Sequence, residues 1–349
     1  MGLSHVDGVS TKTWAFSIAC AFLSVLNVTV FLITANFPGL GFPCVYYHIV
    51  DYGQFNMTAF NVLHQITPQL FLDSGQIVAY VAFMQFVFIL VTIYYVVCWI
   101  KINFRKDGSA VNQATIDIQY MGDGLTCFLF ILTLDSFQLF ILAMSFRLPA
   151  IISFTFAMHF IALTAFVVTL ITQYQSFDRS TFMLNKLHPK LRGTVKFKTA
   201  VVNLLQMAMG FSTMVLSMTL CLGFGNSFLV RTSHMVFSTI IVFTLLACIY
   251  LIVLETVLIR YMKVQFGYHF GAFCGMCGAL YPIIKYEAIT HHEHETTVYV
   301  LVGLMFLSWL TLTLCRIIRF FILRHRPSYK PLPDPSEVKP LSSKLDIDE

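Results

Sequence analysis

Eight apolar stretches constrain this chain more than any other feature. They run over about 14–34, 76–100, 121–146, 149–172, 199–224, 234–259, 268–287 and 298–318. Each is near the ~20 residues a helix needs to cross the ~30 Å hydrocarbon core of a bilayer. The expected fold class is therefore all-α, a polytopic membrane protein with eight transmembrane helices.

Basic residues orient these spans. With a cytosolic N-terminus, the inside segments are 1–13, 101–120, 173–198, 260–267 and 316–349, and they hold 19 of the 22 Lys and Arg. Arg147, Arg231 and Lys285 stay outside, each beside a span end where a long side chain can snorkel. Lys and Arg accumulate in cytoplasmic loops, so the N-terminus and C-terminus are both expected in the cytosol. The formal charge of +5 then reflects loops facing anionic membrane lipids rather than a nucleic-acid surface. Charged residues make up 11%, against about 25% in soluble domains. No soluble segment is long enough to build a core of its own. The expected organisation is one membrane domain, 1–323, and a disordered cytosolic tail, 324–349. That tail has prolines at 327, 331, 333, 335 and 340 and cannot bury apolar surface.

The first span reads as a retained anchor. Its 21-residue apolar run exceeds the ~7–15 residues of a cleavable signal's core, and only Lys12 precedes it. Myristoylation needs Ser or Thr at the sixth position, which is Val6 here.

The long lumenal loop 35–75 carries two features of interest. Of nine cysteines, only Cys44 lies in such a loop. A lone thiol in an oxidising compartment points to an intermolecular disulfide. A free or buried thiol, or a bond to Cys221 near the lumenal end of the fifth span, fits the sequence equally well. Asn56-Met57-Thr58 is an N-glycosylation sequon on the same loop. Asn27-Val28-Thr29 matches too, but inside the first span.

Within the spans, Gly267, Gly271 and Gly275 share one helix face and make a smooth groove for close helix packing. Packing inside the bundle is the favoured use, with packing against a partner as the alternative. Cys274 and Cys277 have redox or zinc spacing but no second pair, so they too read as packing residues. Ionisable residues in spans are functional candidates by default. Asp135 is the deepest, with Asp123, Glu255, Lys285 and Glu287 nearer the ends. A proton or ion path would use Asp135; a structural reading gives it a hydrogen bond to a neighbour such as His159. The loop His291-His292-Glu293-His294-Glu295 has metal-binding and pH-sensing residue types. Short polar loops often carry them without either role. No nucleophile with its base, phosphate-cradling glycine loop or carboxylate pair is present. No enzyme activity, cofactor or metal is expected.

In the tail, Tyr329-Lys330-Pro331-Leu332 fits Tyr-x-x-apolar, the extended form bound by clathrin adaptors, just beyond the basic residues 316–326. Two other classes, a receptor and a transporter, place demands on the sequence that it meets less well. A seven-span receptor needs odd parity, which would reverse the charge pattern at every loop. A transporter needs a polar midplane site and repeated broken helices, and only Asp135 is on offer.

Several runs carry a resemblance. Ser4-His5-Val6-Asp7, Phe42-Pro43-Cys44-Val45-Tyr46-Tyr47-His48 and Met144-Ser145-Phe146-Arg147-Leu148-Pro149 are the first three. His188-Pro189-Lys190-Leu191, Gly223-Phe224-Gly225-Asn226 and Lys263-Val264-Gln265-Phe266-Gly267-Tyr268-His269 complete them. In register over about 1–320, they resemble glycoprotein M of herpesviruses, most closely the cytomegalovirus members. The tail looks shorter and less acidic than in the human cytomegalovirus relative. The resemblance implies a viral envelope glycoprotein with eight spans that pairs with the small single-span glycoprotein N. It implies a disulfide between the two at Cys44, direction of glycoprotein N to the trans-Golgi network, and action in virion assembly, secondary envelopment and egress. It also implies residence in the virion membrane and in host Golgi, endosomal and nuclear inner membranes, with Tyr329 and Leu332 serving retrieval.

Overall fold

The structure is a computed structural model. It describes residues 11–34, 75–103, 118, 120–145, 149–173, 192–228, 230, 232–258, 261, 265–285 and 295–324. These residues form eight helices: α1 (Thr11–Thr34), α2 (Gly75–Asn103), α3 (Gly124–Ser145), α4 (Pro149–Thr172), α5 (Arg192–Ser227), α6 (Thr232–Thr256), α7 (Gly267–Lys285) and α8 (Glu295–Arg324). The described residues contain no strand. Seven helices are long and apolar enough to cross a membrane. The remaining one, α7, has 19 residues and so measures about 28 Å. Four glycines and His269 dilute its apolarity, and they do so on a helix largely wrapped by its neighbours.

Side-chain contacts fix the direction of every helix. Trp14 Nε1 donates to the Gly122 carbonyl and Asn27 Nδ2 to Gln138 Oε1, so α1 and α3 run parallel. Tyr80 meets Ser212 while Lys101 meets Thr194, which makes α2 antiparallel to α5. The ring pairs Phe130–Phe166 and Phe140–Phe156 make α3 and α4 antiparallel. Cys248 faces Ser308 and Glu255 faces Arg316, so α6 and α8 are parallel. Between them α7 runs the other way, with Gln265 at Arg316 and Phe273 at Phe306. Directions therefore alternate through all eight helices, α7 included. The start of α1 and the end of α8 lie at the same end of the bundle. An odd number of crossings, as in a seven-span receptor, does not fit this geometry.

α5 is the hub. It touches α2, α4, α6 and α7, and its 36 residues measure about 54 Å. Sequence reasoning begins this span at 199 and leaves 192–198 in a loop; the structure makes those residues the first two turns of the helix. Lys198 explains the extension. Its ammonium donates to the Tyr120 carbonyl and lies 4.4 Å from the Tyr120 ring centre, so the charge is satisfied where the stem is buried. Burial pushes the Tyr120 phenol up to about 12, which keeps it neutral beside that cation.

Around α5 the core is aromatic. Tyr80 stacks on Phe211, Phe88 meets Phe130 and Phe137 edge-on, and Tyr250 lies against Tyr268 at 4.2 Å. Each buried hydroxyl at these rings finds an oxygen on the hub: Tyr80 with Ser212 at 2.8 Å, Tyr250 with Gln206 at 3.0 Å, Tyr268 with Thr213 at 3.1 Å. In hydrocarbon a polar group gains most from such a partner, so these bonds select one helix register.

Candidate functional site

A close helix approach with backbone against backbone joins α5 to α7. A Cβ on Gly267 would lie 1.8 Å from the Asn203 carbonyl oxygen, and one on Gly271 would lie 2.1 Å from that of Met207. At Gly275 the gap opens, and a Cβ would meet Met214 Cβ at 3.0 Å. Gly210 faces this seam from α5, where a Cβ would fall 2.6 Å from the Ala272 nitrogen. Asn203 Oδ1 also accepts from the Gly267 amide at 2.7 Å and so satisfies one free donor at the start of α7. The glycine face is thus occupied by a helix of the same chain. A second such approach joins α4 and α5, where a Cβ on Gly223 would meet Ser153 Oγ at 1.8 Å and the Pro149 carbonyl at 2.7 Å. Ser153 donates to the Thr219 carbonyl beside it. Pro149, Gly223 and Gly267 all belong to runs that carry the family resemblance.

Charged groups gather at the end of the bundle that holds Lys12, Lys101 and Lys198. Asp123 caps α3: its Oδ1 accepts from the Thr126 amide at 3.0 Å. Gly122 before it has φ 131°, a conformation that favours glycine, and its carbonyl receives the Trp14 indole at 2.7 Å. Glu255 at the end of α6 pairs with Arg316 of α8 at 3.1 Å and with Arg319 at 3.8 Å. Arg316 is 2% exposed, and its second nitrogen donates to the Gln265 carbonyl. Sequence reasoning named Glu255 without its partners, which lie some sixty residues away along the chain.

Asp135 differs from the structural expectation. His159 is fully buried, but its Nδ1 faces the Thr133 carbonyl at 3.0 Å and Ser136 Oγ at 3.5 Å. Asp135 stands on the exposed side of α3, in line with Leu132 and Leu139. Aromatic rings of α2, α3 and α4 enclose the histidine, and a helix cannot turn residues 133 and 135 to the same side. An unpartnered Asp at the centre of a transmembrane helix costs about 2.5–3.5 kcal/mol on insertion. Beside it, Gln138 and Asn27 hydrogen-bond to one another at 3.3 Å across the α1–α3 boundary.

Cys44, Asn56, Tyr329 and Leu332 lie outside the described residues, as does the loop with His291, His292 and His294. The eight cysteines of the helices, Cys221 among them, are free thiols. No group of three or more His, Cys, Asp and Glu able to hold a metal ion occurs among the described residues.

An alternating bundle of eight apolar helices around a glycine seam is a multi-pass membrane protein. Its family is settled by comparison with known proteins: a model of the family Herpesvirus glycoprotein M matches residues 7–332. Envelope glycoprotein M of human cytomegalovirus (strain Merlin) is 54% identical over 331 residues, covering 95% of this chain and 89% of that protein. Envelope glycoprotein M of murid herpesvirus 1 (strain K181) is 50% identical over 345 residues, 98% of each chain. That of Epstein-Barr virus (strain B95-8) is 28% identical over 353 residues, covering 97% of this chain and 85% of that one. No solved structure matches. The chain belongs to the herpesvirus glycoprotein M family, a family of viral envelope glycoproteins.

Proposed function

We propose that this envelope glycoprotein is the multi-pass half of a heterodimer with glycoprotein N, joined by a disulfide at Cys44. In this reading it carries glycoprotein N to the trans-Golgi network and acts in virion assembly, secondary envelopment and egress. The observation that carries the pairing is the distribution of thiols. Eight of the nine cysteines are free on helices, which leaves Cys44, in the loop that the positive-inside rule assigns to the lumen. Asn56, twelve residues on in the same loop, is the proposed glycan site. With the bundle's basic end in the cytosol, Tyr329 and Leu332 follow α8 on the side where clathrin adaptors are found. An adaptor seats such a segment as an extended strand, with the phenol and the Leu side chain in separate pockets. That motif is the proposed retrieval signal from the cell surface and endosomes.

Cys44→Ser tests the covalent bond. Co-expressed with glycoprotein N, the wild-type chain is expected to run as a heterodimer on a non-reducing gel and to separate on reduction. The variant should lose this adduct while keeping part of its non-covalent association. An unchanged adduct in Cys44→Ser would transfer the bond to another cysteine, with Cys221 the first to examine.

A further inference from the structure

Several deep polar side chains of this bundle bond to one another inside it, whereas one deep acid faces outward. Tyr80, Tyr250 and Tyr268 each reach an oxygen on α5, and Gln85 Nε2 donates to Thr29 Oγ1 at 2.6 Å. Asp135 makes no hydrogen bond or ion pair to any described residue. It is the twelfth of the 22 residues of α3, about 16 Å from either helix end, and it faces outward. Next to it lies the exposed pair Asn27–Gln138. Gln138 Oε1 is taken by Asn27, which leaves the Gln138 amide group and Asn27 Oδ1 free to bond outward.

We propose that this face, the α1–α3 boundary around Asp135, seats one transmembrane helix of a partner that presents a hydrogen-bond donor at mid-bilayer depth. Naming that helix as the span of glycoprotein N rests on the pairing proposed above. The chemistry selects the occupant. A carboxyl offers acceptors, so a Lys, Arg, Ser, Thr or Asn side chain from the incoming helix complements it, with Asn27 and Gln138 fixing its height. Lipid tails offer no such donor, so the polar contact adds to helix association there. A second copy of this chain suits the face less well. A two-fold contact brings the same patch against itself, and so acid against acid.

The test uses the full chain co-expressed with tagged glycoprotein N, in both the native and the Cys44→Ser backgrounds. In the Cys44→Ser background, Asp135→Leu is expected to lower the retained glycoprotein N at least fivefold. Asp135→Asn, which keeps a carbonyl acceptor, should retain more than the leucine variant. Ile161→Leu, at an outward position on α4, should leave retention unchanged. A leucine facing lipid does not threaten the fold, and continued formation of the disulfide adduct by Asp135→Leu with Cys44 intact verifies this. Equal retention by Asp135→Leu and the parent overturns the assignment while leaving the pairing intact. So does Asp135-dependent capture of a differently tagged second copy, which gives the face to self-association. Absence of glycoprotein N from the wild-type chain overturns the pairing reading itself, and this assignment with it.

Discussion

Gly271→Leu is expected to abolish recovery of the folded, monodisperse chain. The new Cβ would fall 2.1 Å from the Met207 carbonyl oxygen and 3.0 Å from its Cα, both atoms of helical backbone. No rotamer change relieves a contact with backbone, so α7 must move away from α5. That movement takes the Gly267 amide from Asn203 and the Tyr268 hydroxyl from Thr213. Forced overpacking costs about 1–3 kcal/mol where side chains can yield, and the upper end or more applies where they cannot. Gly278→Leu is the control, because a Cβ there meets nothing within 4 Å. Thermal unfolding in detergent, followed by size-exclusion recovery, should show a large loss for position 271 and little change for position 278. Equal behaviour of the two variants would mean that the α5–α7 approach is not as close as described.

The second large effect belongs to the Glu255–Arg316 pair. Glu255→Ala removes the carboxylate facing a guanidinium that is 2% exposed and deprives Arg319 of the same partner. Breaking a buried pair from one side costs about 3–5 kcal/mol, because the remaining charge stays desolvated. The double variant Glu255→Leu with Arg316→Met replaces the pair by apolar groups of similar size. Such replacements are often neutral, so it should recover most of the lost stability. Unfolding midpoints of the single and double variants measure the coupling. A Glu255→Ala midpoint equal to that of the parent would show that α6 and α8 are not held by this contact.

The spans were legible because about twenty apolar residues in a row have few alternatives to a membrane helix. Their inner edges were not. Arg192, Lys196 and Lys198 read as loop by charge, whereas Lys198 is held in the helix by a carbonyl that no local pattern announces. The glycines of α7 were visible through their four-residue spacing. Their counterpart Gly210 has no glycine three or four residues away in α5, so it carries no periodic signal. Asp135 was legible as a deep acid, but not its side. Helices apolar all round have almost no polar stripe, so the sequence does not say which flank meets its neighbours. The His159 pairing expected for it fails for that reason. The Arg316 partner needs the register of α6 against α8, which is a property of the packed bundle.

Accessibility of tags at the two ends of the chain tests the central claim most directly. Lumenal exposure of Cys44 and Asn56, and cytosolic exposure of Tyr329, all follow from an even number of crossings with the basic end inside. With an N-terminal and a C-terminal tag on the full chain, selective permeabilisation of the plasma membrane should expose both tags to antibody or protease at once. A tag at either end that stays protected until the internal membranes are opened would contradict the topology and the proposed function built on it.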